Sequence, residues 1–195
     1  MLSTSTTTST LEQTIDALPQ SWQFTPVRNK KPYTDEWTNK DLERDFIIQE
    51  IASGNATGYG IRLGEPSGYV IAIDFDGQSA IDMAIEKFAE LPNTVTWTSG
   101  RPARHQALYQ VPEAYRDRLK NKKIQTGDGE YIEIRYTGNQ SVLPPSSHPD
   151  TDGYKWINNP FDTSVAELPQ VVIDYLLKLI ESKPLVKTER KDRGP

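Results

Sequence analysis

Residues 57–77 read "TGYGIRLGEPSGYVIAIDFDG" and hold the pattern on which the fold turns. Two β-prone runs flank the turn signal Glu65-Pro66-Ser67-Gly68, so the segment reads as a hairpin of two strands. Strands joined this way belong to an antiparallel or mixed sheet, because parallel neighbours need a long crossover. The second run ends on Asp74-Phe75-Asp76-Gly77. Residues i and i+2 of a strand face the same way, which puts Asp74 and Asp76 on one face and Phe75 on the other. Two carboxylates that close repel each other unless a cation stands between them. Magnesium or manganese relieves that repulsion, and two such ions about 3.5–4 Å apart form the usual clamp for phosphoryl transfer. The plainer reading is a strand that ends in a polar turn.

Outward from this stretch, helical and strand patterns alternate. "NKDLERDFIIQEIASG" is an amphipathic helix stopped by Gly54. "QSAIDMAIEKFAEL" is a second helix with Ile81, Ile85 and Phe88 on its apolar face. "TVTWTSG" and "HQALYQV" read as paired strands, "EAYRDRLKNKK" as a basic helical turn, and "EYIEIRYT", "SVLPPS" and "YKWI" as further strands. "LPQVVIDYLLKLIES" closes the fold as a helix. Intermixed helices and hairpin-linked strands predict an α+β, or mixed α/β, domain with a mixed sheet. Residues 1–18 read as a disordered Ser/Thr-rich leader, 19–182 as one folded domain and 183–195 as a polar linker or tail.

Composition narrows the chemistry. The chain has no cysteine and two histidines, so thiolate catalysis, Cys-ligated zinc and a His-rich metal site are excluded. Any metal would sit among oxygens. Charged residues make up 25% of the sequence, and there is no apolar run long enough for a transmembrane span. A net charge of −5 argues against a nucleic-acid partner, but its distribution is uneven. Residues 101–123 carry seven Lys/Arg against two acids. That segment is either a solvated face or an anion-binding patch.

Three further signals join the two aspartates. In "YIEIRYTG", Glu133 and Arg135 alternate with Ile132 and Ile134; a carboxylate there suits either an outward edge face or a bound cation. In "TSGRPARHQALY", Ser99 and Gly100 offer a hydroxyl and backbone NH groups, and Arg101 and Arg104 offer bidentate phosphate donors ahead of His105. In "VLPPSSHPDTDGYKW", two prolines stiffen a loop that carries Ser146, Ser147 and His148.

Taken in order, these four motifs resemble the bifunctional primase–polymerase domain, a branch of the archaeo-eukaryotic primase superfamily. The similarity runs from about Gln23 to Trp156. It implies an archaeo-eukaryotic primase-like core with an RRM-like sheet flanked by helices. It also implies template-directed nucleotidyl transfer by a cytoplasmic replication protein of a plasmid, phage or mobile element. The superfamily's DxD motif falls on Asp74 and Asp76, its histidine on His105 and its third acid on Glu133. The three acids would hold two Mg2+ or Mn2+ ions. His105, Arg101, Arg104 and Ser99 would grip the triphosphate of an NTP or dNTP, and Ser146, Ser147 and His148 would line the pocket opposite. Arg135 would support the acids from beside them or contact a phosphate of the nucleotide, and Tyr59 would lie near the sugar. Lys120, Lys122 and Lys123 would track the DNA template or primer. The resemblance also leaves room for a helicase domain or partner in a longer replication protein, although no helicase motif is evident in this sequence.

The sequence departs from the pattern in places. Ala103 stands where the superfamily motif has serine and this branch often has glycine, and Glu133 replaces the commoner aspartate. Two rival readings remain. In a haloacid-dehalogenase-like phosphatase Asp74 would be the nucleophile and "GDG" at 127–129 the acidic motif, although Gln78 replaces the usual threonine. The other is a non-catalytic single-stranded nucleic-acid-binding module.

Overall fold

The computed structural model describes residues 5–182. In chain order the elements are α1 (Ser5–Ala17), β1 (Phe24–Arg28), β2 (Lys31–Pro32), α2 (Arg44–Ala52), β3 (Gly58–Arg62), β4 (Val70–Asp76) and α3 (Gln78–Phe88). There follow β5 (Thr96–Thr98), β6 (Arg104–Gln110), β7 (Lys122–Gly127), β8 (Glu130–Arg135), β9 (Gln140–Val142), β10 (Lys155–Asn158), β11 (Ala166–Glu167) and α4 (Gln170–Glu181). A large sheet runs β10-β5-β6-β4-β8-β7, with β11 parallel to β6, and a small sheet runs β2-β1-β3-β9. All the other strand pairs are antiparallel, so the protein is α+β.

Strand β4 lies at the centre of the large sheet and separates two apolar layers. Ile71, Ile73 and Phe75 face α3 and α4, in a core with Ala80, Ala84, Phe88, Val172 and Leu176. Val70 and Ala72 face the other way, into a core with Phe24, Tyr59, Ile61 and Val142 of the small sheet and with α1 and α2. Further along β4 this second face emerges from its cover. There the apolar positions give way to Asp74 and Asp76, both only partly buried, while Phe75 on the helix side stays 3% exposed.

Four expectations need correction. The hairpin at 57–77 does not form: β3 and β4 belong to different sheets, and an isolated bridge, Gly64↔Val70, links β4 to the chain just beyond β3. Gly64, at φ +83°, and a 3₁₀ turn over Glu65–Ser67 re-aim the chain, and every residue of β3 is buried between β1 and β9. The Ser/Thr-rich leader is helical over Ser5–Ala17 and buries Leu11, Ile15 and Leu18, an apolar stripe at helical spacing. Arg44 donates to the carbonyls of Ile15, Leu18 and Pro19, which holds that helix's C-terminus. Residues 183–195, read as a linker, lie outside the described residues.

On α3 the sheet-facing residues are Ala80, Ala84 and Phe88, whereas Ile85 is 63% exposed. Glu130 of β8 sets that rotation: its carboxylate accepts from the Ser79 amide at 2.8 Å, and a Cβ on Gly77 would come within 2.2 Å of it. Finally, the basic segment is not helical beyond a short turn at Glu113–Tyr115, because Lys122–Gly127 alternates as edge strand β7. Among the described residues no helix is long and apolar enough to cross a membrane.

Candidate active site

Strand register assembles the site. Asp74 lies between Gln106 of β6 and Glu133 of β8, and Asp76 lies between Arg104 and Tyr131. Directly opposed residues of antiparallel strands share a face. Asp74, Asp76, Glu133, Arg104, Gln106 and Arg135 therefore project together and border one cavity of about 320 Å³, whereas Tyr131, on the same face, does not. Trp97 and Tyr154 form its floor, Val142 and Gln140 bring in the small sheet, and Lys30, Ser99, Arg101 and His148 complete the rim.

Arginines balance the acids. Arg135 Nη2 is 2.9 Å from both Asp74 Oδ2 and Glu133 Oε2, and Arg104 Nε is 2.9 Å from Asp76 Oδ1. The compensation is incomplete at Asp74. Burial pushes its carboxyl up to about 6; Arg135 and Arg104 oppose that rise, and the charges of Glu133 and Asp76 add to it. At the rim, His148 Nδ1 accepts from the Asp150 amide at 3.1 Å, which leaves its Nε2 to carry the proton of the neutral ring. Burial, Lys30 and Arg101 hold that ring's pKa below the ordinary value. Arg101 itself pairs with Asp150 at 2.5 Å.

The structure does not bring every expected residue to the cavity. His105 borders it, but the residue pairs with Phe75 and its ring stacks on Phe75 with centroids 4.5 Å apart and an interplanar angle of 19°. Its imidazole therefore belongs to the helix-side face, where burial lowers its pKa. Ser146 is 3% exposed, and its hydroxyl is tied to the backbone of Tyr59, accepting from N at 3.0 Å and donating to O at 3.2 Å. Ser147 Oγ donates to Thr57 O at 2.9 Å, and the fully buried Tyr59 donates from its hydroxyl to Pro144 O at 2.6 Å. These three groups hold the proline loop on β3 and do not reach the cavity. Lys122 points to the carbonyl of Leu179 at the end of α4, at 3.5 Å. Lys123 shares the acids' face and lies over the Tyr131 ring at 4.2 Å, while Lys120 is exposed in the loop before β7. Asp128, the acid of the phosphatase reading, is exposed in the β7–β8 turn.

Lys30, Gln106 and Gln140 were not singled out from sequence. Gln106 and Gln140 each keep a buried amide oxygen without a hydrogen-bond partner among the described residues. Alternation within "HQALYQ" does not by itself find Gln106, because it leaves open which of His105 and Gln106 faces the acids. Lys30 reaches the site through a two-residue turn with both φ angles positive, anchored where Gln140 Nε2 donates to its carbonyl at 3.1 Å. Ala103, just ahead of β6, sits at φ +53°. That left-handed conformation costs alanine energy that it would not cost glycine.

A mostly antiparallel sheet whose central strand presents carboxylates to a basic-rimmed cavity defines a protein equipped to handle polyanionic substrates. The chain belongs to the Prim-Pol family, "bifunctional DNA primase/polymerase, N-terminal", whose model matches residues 14–171. Membership brings a DNA primase/polymerase-type function, with DNA and nucleotides as substrates. No curated protein matches the chain.

Proposed function

We propose that this domain performs template-directed nucleotidyl transfer from an NTP or dNTP to a primer 3′-hydroxyl during replication of a plasmid, phage or mobile element. The observation that carries the proposal is the pairing of Asp74 with Glu133 across β4 and β8, with Asp76 on the same face. Magnesium or manganese fits the donor set: three carboxylates supply hard oxygen ligands, and Arg135 already places a positive charge between two of them. As the side chains stand, no group of three acids among the described residues is placed to hold an ion; Arg135 pairs with Asp74 and Glu133, and Arg104 with Asp76. Asp74, Asp76 and Glu133 would turn to hold the ions, which when bound activate the 3′-hydroxyl and neutralise charge on the transferring phosphate.

The protein's own groups do the rest. Arg101, Lys30 and the Nε2–H of His148 present donors to the triphosphate from the rim. Ser99 fixes the loop that carries Arg101, since its carbonyl accepts from Thr151 Oγ1 at 2.5 Å. Trp97 keeps the floor rigid by donating from Nε1 to Val142 O at 2.9 Å. The test is extension of a labelled primer on a template with dNTPs and manganese. Extension by the native chain that is lost in Asp76→Asn is expected. DNA binding without extension would select a binding module, and phosphate release without template would select a phosphatase.

A further inference from the structure

The way Arg135 meets the acids is unlike a permanent ion pair. A structural arginine–carboxylate pair is commonly bidentate, with two parallel N–H···O bonds. Here a single nitrogen, Nη2, serves both Asp74 and Glu133 at 2.9 Å. Nη1 makes only a long contact of 3.4 Å to Gln140 O, and Nε is buried with no partner among the described residues. An orphaned buried donor is costly, so this placement does not satisfy the guanidinium. Two orphaned acceptors, Gln106 Oε1 and Gln140 Oε1, border the same cavity. Beside Arg135 on β4 stands Ala72, whose small side chain leaves the arginine stem unobstructed on that strand.

We infer that Arg135 is a displaceable counter-cation: it occupies the position between Asp74 and Glu133 until a divalent ion enters, then withdraws toward the amide oxygens of the cavity. The inference rests on the reading of the acids as ion ligands. It makes Arg135 a positioning residue that competes with the metal. In the ion-free protein it prevents two carboxylates from repelling each other, and it weakens the affinity for the first ion.

The test is calorimetric titration of Mn2+ into the full chain without nucleotide or DNA, comparing the native protein, Arg135→Met, Arg135→Gln and Arg135→Lys. Loss of a unit positive charge within contact distance of two ligands is expected to tighten first-ion binding at least tenfold in Arg135→Met and Arg135→Gln. Arg135→Lys keeps the competing charge and stays within a few-fold of native. Two neutral variants guard against one that fails to fold, which circular dichroism would reveal. Native binding with unchanged or weaker binding in the folded neutral variants overturns the inference and leaves the acids as ligands. No binding to the native chain or to either folded neutral variant overturns the ligand reading itself.

Discussion

Replacing Asp74 with asparagine separates a catalytic acid from a structural one, because the two roles demand opposite changes in stability. Asp74 is buried enough that its carboxyl rises from an ordinary 3.8 to about 6 despite two nearby arginines. An acid whose pKa is raised by folding disfavours the ionised folded state. The penalty is absent below 3.8, where both states are protonated, and is complete above about 6. At about 1.4 kcal/mol per tenfold change, this shift corresponds to about 3 kcal/mol as an upper bound. Asparagine removes the charge while nearly keeping the shape, and Arg135 retains Glu133 as a partner at 2.9 Å. Asp74→Asn is therefore expected to gain about 1–3 kcal/mol at pH 8 with chelator present, a rise in Tm of about 3–10 °C for a chain of this size. The gain should shrink as pH falls from about 6 toward 3.8. Scanning calorimetry reads the stability and primer extension reads the activity, which should be lost. A lower Tm for Asp74→Asn at pH 8 would refute the reasoning, because Asp74 would then be a strut for Arg135.

Ser146→Ala removes both bonds to the Tyr59 backbone and leaves a buried amide unpaired, so it should cost about 1–3 kcal/mol in denaturant unfolding without changing the KM for nucleotide. A raised KM at unchanged stability would return Ser146 to the nucleotide pocket. Ala103→Gly relieves a left-handed alanine and should stabilise by about 1 kcal/mol; thermal melts that show a loss would contradict the φ of +53°. Glu130→Gln weakens the bonds to the Ser79 hydroxyl and amide that hold the Glu130 carboxyl below its ordinary 4.5. Because folding lowers this pKa, the native advantage is present above 4.5 and disappears as pH falls through the lowered value. Melting curves at pH 7 and pH 3.5 check the sign.

Much of this protein was legible without tertiary structure, for a local reason. Parity along one strand is fixed by backbone geometry, so "IAIDFDG" alone puts Asp74 and Asp76 on one face and Phe75 on the other. The helix at "QSAIDMAIEKF" and the β5–β6 pairing follow equally from short-range pattern. The order of acid, arginine and proline-loop motifs pointed to the family that the chain-wide match established. What stayed hidden depends on contacts between distant segments. Polar composition masked the stripe Leu11, Ile15 and Leu18, which becomes apolar surface only when α2 and the small sheet lie against it.

Other features required the register between strands. A shift of β6 by one residue against β4 would set His105 beside Asp74 and turn Gln106 to the helices, and nothing within "RHQALYQ" chooses between the two. The observed pairing, Phe75 with His105, is selected by burying Ala107 and Tyr109 under α3 and α4. The ion pair between Arg135 and Asp74 likewise arises from pairing β8 with β4, whose residues lie some sixty positions apart in the chain. Local sequence settled which side chains share a strand face, since covalent geometry imposes it. Only packing settled which strands became neighbours, because that choice maximises the apolar area buried by the whole chain.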